Sequence, residues 1–153
     1  MDHRYLDHDA ILTLFEVKRS SDTRFRREVI GRMLDYAANA VVYWPVEEIK
    51  TKFEAACSAL QVDPDAVVCE KVSEGFELGD FWQKVKTKLQ AGRIRMIFIA
   101  DEIPPKLRRV VEFFSGQLDP AEVLAVEVEQ FVGEGMRTLV PRVVGQTEAA
   151  RRK

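Results

Sequence analysis

Ile11-Leu12-Thr13-Leu14-Phe15-Glu16-Val17-Lys18 is the stretch from which the fold is read. Side chains of a strand alternate between faces, so Leu12, Leu14, Glu16 and Lys18 share one face while Ile11, Thr13, Phe15 and Val17 share the other. Apolar residues dominate both, which predicts a strand covered by helices on both sides. A carboxylate and an amine projecting together from such a strand are costly to bury unless each has a partner. A divalent metal and a phosphate are partners of the required charge, although an isolated Glu-x-Lys is far more often the solvated end of a strand.

The preceding residues read as the other half of a hairpin, with its turn near Asp7-His8-Asp9-Ala10. If the loop is His8 to Ala10, Asp7 faces Ile11, and pairing back along the ladder brings Asp2 opposite Glu16 on the same face. A two-residue loop instead turns Asp2 away.

Downstream, Ser20 to Thr23 supplies N-capping residues for a helix running to roughly Val41, with Ile30, Met33, Leu34, Ala37 and Val41 at helical spacing. Glu28, Arg32 and Tyr36 form a neighbouring stripe at i, i+4. A second helix is expected over Val46 to Leu60, a connection over Gln61 to Gly79, and a helix over Phe81 to Gln90. Arg95 to Ala100 reads as a buried strand, and Pro104-Pro105 opens a helix to about Leu118. Asp101 and Glu102, at that strand's carboxyl end, are read as helix-capping or helix-dipole residues. Strands follow over Ala121 to Val132, with Val123, Ala125 and Glu127 on one face, and over Thr138 to Val144. The order defines an α/β class.

The stretch from Phe15-Glu16-Val17-Lys18 through Arg32 and Tyr36 to Asn39 resembles the PD-(D/E)xK nuclease superfamily, in which an Asp begins one strand, Glu-x-Lys lies on the next and a helix follows. The branch it is most similar to carries Gln-x-x-x-Tyr on that helix; Tyr36 fits, and Arg32 stands where the pattern has Gln. Arg95 to Phe114 is similar, more loosely, to uncharacterised bacterial proteins with this core. The resemblance implies a restriction-endonuclease-like fold, a mixed central sheet flanked by helices, here lacking the family's usual first helix and strand. It also implies that Asp2, Glu16 and the backbone carbonyl of Val17 bind Mg²⁺, or Mn²⁺ in its place, and that Lys18 orients or deprotonates the attacking water. Hard cations with oxygen ligands that keep several waters suit this division of labour. The implied substrate is DNA. Arg19, Arg24, Arg26, Arg27, Arg32 and Tyr36 are the candidate nucleic-acid contacts, because arginine's fork matches phosphate geometry.

Composition bounds the alternatives. The chain has 153 residues, 46% hydrophobic and 31% charged, as in ordinary globular domains. One domain is expected over residues 1–146, followed by a basic, disordered tail over 147–153. No run approaches the ~18 apolar residues needed to cross a membrane, and the charged start lacks a signal peptide, so a cytoplasmic location is expected. The formal charge is -2. Between Glu16 and Arg32, however, six basic residues face three acidic ones, a local surplus suited to phosphates. Cys57 and Cys69 have no metal-ligand spacing and read as structural or unpaired buried residues, and His3 and His8 as surface residues. Two other classes are compatible: a non-catalytic DNA-binding or protein-interaction module that keeps the fold, and a homodimer covering an exposed sheet edge.

Overall fold

A computed structural model of the chain describes residues 3–19, 25–71, 78–133 and 135–144, the side chains at 3, 25–27, 29, 33, 41, 71 and 78 excepted. Strands β1 (His3–Leu6) and β2 (Leu12–Val17) lead into helices α1 (Phe25–Tyr43), α2 (Val46–Ala59), α3 (Pro64–Lys71) and α4 (Leu78–Gln90). Then follow β3 (Ile94–Ala100), α5 (Pro105–Gln117), β4 (Glu122–Gly133) and β5 (Met136–Val144). The tail at 147–153 lies outside the described residues, and none of the helices described is long and apolar enough to cross a membrane.

The five strands form one mixed sheet in the order β1-β2-β3-β4-β5, with β2, β3 and β4 parallel and both edge strands antiparallel. The β1–β2 hairpin has a three-residue loop. Asp7 N–H donates to the Ile11 carbonyl at 3.2 Å, Ala10 N–H to the Asp7 carbonyl at 2.9 Å, and Ala10 takes φ 60°. This is a turn closed by a left-handed residue, and it fixes the register His3↔Phe15 through Leu6↔Leu12. The Asp7 carboxylate stiffens the loop: Oδ1 accepts the Asp9 and Ile11 N–H groups, and Oδ2 accepts from Arg95 at 2.6 Å. Arg95 also donates to Glu122 at 2.7 Å, so one guanidinium ties the hairpin to β3 and β4.

Cα pairing places Leu12 beside Ile94, Leu14 beside Met96 and Val123, and Glu16 beside Phe98 and Ala125, all on one face. That face packs with Ala40 of α1, Leu89 of α4, and Leu107 and Val111 of α5 in the main core. A smaller cluster of Ala10, Val68, Phe81, Trp82 and Val85 joins α3 and α4 to the hairpin loop. The parallel steps β2 to β3 and β3 to β4 run in one direction along the sheet. Right-handed crossovers therefore put their helices on one side.

The opposite face is a correction to the sequence reading. Phe15, Ile97, Ile99, Leu124 and Val126 are only half-buried, Val17 is exposed, and among the described residues no helix belongs to a core on that side. The strict alternation of buried and half-buried residues along β3 records a sheet covered once, not twice. A second correction is α3, which occupies part of the expected connection; Pro64 and Asp65 open it. Cys57 is buried and Cys69 exposed, and neither forms a disulfide, so only Cys57 matches its expected buried role. Trp44 is buried, as packing requires.

Candidate functional site

Glu16 is the last member of the buried row Leu12, Leu14, Glu16, and only 5% of its surface is exposed. The strand's alternation turns its carboxylate into the helix-covered side at the carboxyl end of β2, where ligands of open α/β sheets commonly bind. Two cations meet it there. Arg32 of α1 donates from Nη1 to Oε1 at 2.8 Å, and Lys18 Nζ stands 3.3 Å from the same oxygen. Lys18 is positioned by its backbone N–H, which donates to the Ile99 carbonyl at 2.9 Å and extends the β2–β3 ladder past Glu16. Its side chain keeps about a quarter of its surface in solvent.

Tyr36, one turn beyond Arg32, lines the same recess with Leu14, Phe15 and Phe98 and packs on Trp44 with ring centroids 5.2 Å apart. The enclosed part of the recess, about 10 Å³, holds about one water. A group larger than a water therefore meets only its open rim. A larger cleft of about 580 Å³ runs between β1 and α2, lined by Tyr5, Leu12, Ile49 and Phe53 among others, and contains no carboxylate among its lining residues.

Of the expected site residues, Glu16, Lys18, Arg32 and Tyr36 thus come together. Arg19 is exposed just past β2, and Arg26 and Arg27 belong to the first turn of α1, with their side chains outside the described residues. Asp2 and Arg24 also lie outside them. The register His3↔Phe15 is the one given by the three-residue loop of the sequence analysis. Among the described residues no three His, Cys, Asp or Glu side chains gather as a metal cluster. Asp101 and Glu102 are exposed; Asp101 accepts the Glu102 N–H at 3.1 Å and neither caps α5.

A second buried carboxylate escaped the sequence reading as a site residue. Glu127 ends the row Val123, Ala125, Glu127 of β4 on the same face as Glu16 and is 5% exposed. It accepts the Ile103 N–H at 2.9 Å and pairs with Arg142 of β5. Burial pushes its carboxyl up, but the Ile103 hydrogen bond, the Arg142 guanidinium and the nearby Arg108 outweigh burial and hold it below the ordinary value. The signal was present: in both rows a carboxylate takes the third place of an otherwise apolar alternation.

Searches against known proteins bring nothing to this geometry, since no family model, no curated protein and no solved structure matches the chain.

Proposed function

We propose that this chain is a restriction-endonuclease-like domain that hydrolyses DNA phosphodiester bonds with Mg²⁺ or Mn²⁺. The observation that supports the reading is the buried Glu16 with Lys18 3.3 Å away on the same face, at the carboxyl end of a parallel strand. The donors present suit a hard cation: Glu16 offers carboxylate oxygen, Val17 a backbone carbonyl beside it, and no thiolate or imidazole competes among the residues lining the recess. When bound, the ion neutralises phosphate charge and makes its water more acidic. Glu16 and Val17 would hold it, with Asp2 as the third donor of this proposal. Lys18 would orient the attacking water, with Tyr36 and the arginines Arg19, Arg26 and Arg27 along the DNA backbone.

One contact favours a second reading. Arg32 Nη1, 2.8 Å from Glu16 Oε1, occupies an oxygen that a metal would need, as expected of a non-catalytic DNA-binding module that keeps the fold.

Cleavage of linear, circular and single-stranded DNA with Mg²⁺ or Mn²⁺ separates the two. The nuclease reading expects activity that falls at least ~100-fold in Lys18→Ala and Glu16→Ala, a loss of about 2.7 kcal/mol in transition-state stabilisation. It also expects Arg32→Gln, which frees the carboxylate while keeping a donor, to cleave at lower metal concentration. Wild-type turnover no greater than that of the two alanine variants, with DNA binding intact, would select the non-catalytic reading.

A further inference from the structure

The cleft between β1 and α2 shares no lining residue with the recess at Glu16, and one of its walls is the free edge of the sheet. Strand β1 is the first of the five and pairs on one side only, with β2. Asp7 N–H donates to the Ile11 carbonyl, so the ladder turns the backbone groups of Asp7, Tyr5 and His3 toward β2. The alternation of an antiparallel pair then turns the N–H and carbonyl groups of Arg4 and Leu6 outward. Among the described residues no hydrogen bond joins these four groups. Arg4, Tyr5 and Leu6 all line the cleft. A cavity over one face of a strand meets alternate residues, whereas one that meets three in succession runs along the backbone edge.

We infer that this cleft binds an extended peptide segment of another protein, which joins the sheet as a strand beside β1 with an apolar side chain opposite Leu6 and a carboxylate opposite Arg4. The inference does not depend on chemistry at Glu16.

Size fits such an occupant. The volume of about 580 Å³ lies within the range of ligand sites, ~300–1,000 Å³. An added strand runs ~4.8 Å from β1, and four of its residues span about 13 Å, the length of β1 itself. Backbone bonds to Arg4 and Leu6 then hold the segment extended, and its alternate side chains are chosen by the walls of the cleft.

Those walls differ along the strand. A residue opposite Leu6 projects to the same side of the sheet as Leu6, toward Leu12 and the α2 residues Ile49, Phe53 and Ala56. Leu6, Ile49 and Phe53 already pack together on the smaller core cluster, so an apolar side chain extends an existing apolar surface. The residue opposite Arg4 meets a guanidinium whose carbon stands 5.9 Å from the centre of the Trp44 ring. That contact uses the face of the guanidinium and leaves its in-plane N–H donors to a carboxylate. Lys52 adds a second cation to the lining. Glu48, which pairs with Lys52, is not a lining residue, so the rim carries two positive charges to one negative. Antiparallel pairing gives the order of the segment: apolar residue, any residue, acidic residue. The middle side chain turns to the open side of the sheet, beside Tyr5.

Fluorescence anisotropy tests the inference, with the whole chain titrated to ~0.5 mM into fluorescein-labelled, amidated Ser-Thr-Leu-Thr-Glu-Thr and its analogues with valine or phenylalanine in place of leucine. Saturable binding is expected. Arg4→Gln should weaken it at least ~10-fold, as should Ala56→Trp, which fills the cleft from an exposed helix position, both with the wild-type circular dichroism spectrum. Lys50→Gln, an exposed α2 position outside the lining, should leave it unchanged. N-methylation of the peptide's leucine removes a donor to the β1 edge and should weaken binding by a similar factor, whereas N-methylation of the following threonine, whose N–H faces away, should not. Absence of saturation with all three peptides overturns the inference. Binding that is indifferent to the position of the N-methyl group overturns it too, because the cleft then takes an amphipathic anion without pairing a strand.

Discussion

Glu16 and Glu127 stand at corresponding places, each the third residue of a buried row, Glu16 near the carboxyl end of β2 and Glu127 where the parallel pairing of β4 with β3 ends, yet their partners differ in a way that can be measured. Glu127 is held by a backbone N–H and a guanidinium, and its carboxyl lies below the ordinary value of 4.5. A carboxyl depressed by folding stabilises the protein above its unfolded pKa, and that contribution is lost as pH falls through the folded value. Glu127→Gln keeps an acceptor for Ile103 but removes the charge that faces Arg142. It is expected to cost about 1–3 kcal/mol at pH 7. The gap in melting temperature between variant and wild type should narrow from pH 5 toward pH 3, read by thermal melts across that range. A constant gap would mean that the carboxylate is not ionised in the fold.

The helix ends show how local chemistry sets element boundaries. After α4, Gly92 takes φ 73°, with Gly92 N–H on the Leu89 carbonyl and Arg93 N–H on that of Lys88. Helix α2 ends through the same pair of bonds, Gln61 N–H to Ser58 and Val62 N–H to Cys57, but there a glutamine takes φ 55°. The left-handed region favours glycine over any residue with a Cβ. Gln61 is exposed, so Gln61→Gly should raise stability by about 0.5–1 kcal/mol, seen as an increase of a few degrees in melting temperature. No gain would show that the glutamine side chain makes up for the strain. The hairpin is a case where such chemistry was readable in advance: Asp7-His8-Asp9-Ala10 allowed a three-residue loop, and that loop put Glu16 and Lys18 inward together. The α4–β3 boundary was readable for the same reason, in Ala91-Gly92. Helix α3 was not, because its short apolar content, Val67 and Val68, makes no repeat to recognise against the polar residues around it. The one-sided sheet was equally hidden: Phe15, Ile97 and Leu124 are apolar whether a helix, a second sheet or water lies above them. Arg32 could be placed on the right stripe of α1 from spacing alone, but whether its guanidinium meets Glu16 or a phosphate depends on how α1 crosses the sheet.

For the molecule as a whole, a formal charge of -2 repels DNA at long range, while the positive residues relevant to the proposal are Lys18 and Arg32 at Glu16, Arg19 just past β2, and Arg26 and Arg27 in the first turn of α1. Phosphate contacts release condensed counterions, so their number appears in the salt dependence of binding, independent of catalysis. If four of these cations contact phosphates of a duplex, log Kd should change with log salt by a slope of about 3.6, and Arg26→Ala/Arg27→Ala should reduce it by nearly 2. Calcium in place of magnesium allows the titration to be read by fluorescence anisotropy without cleavage. A shallow slope that the double variant leaves unchanged would mean that these residues do not carry DNA, whatever the outcome at Glu16.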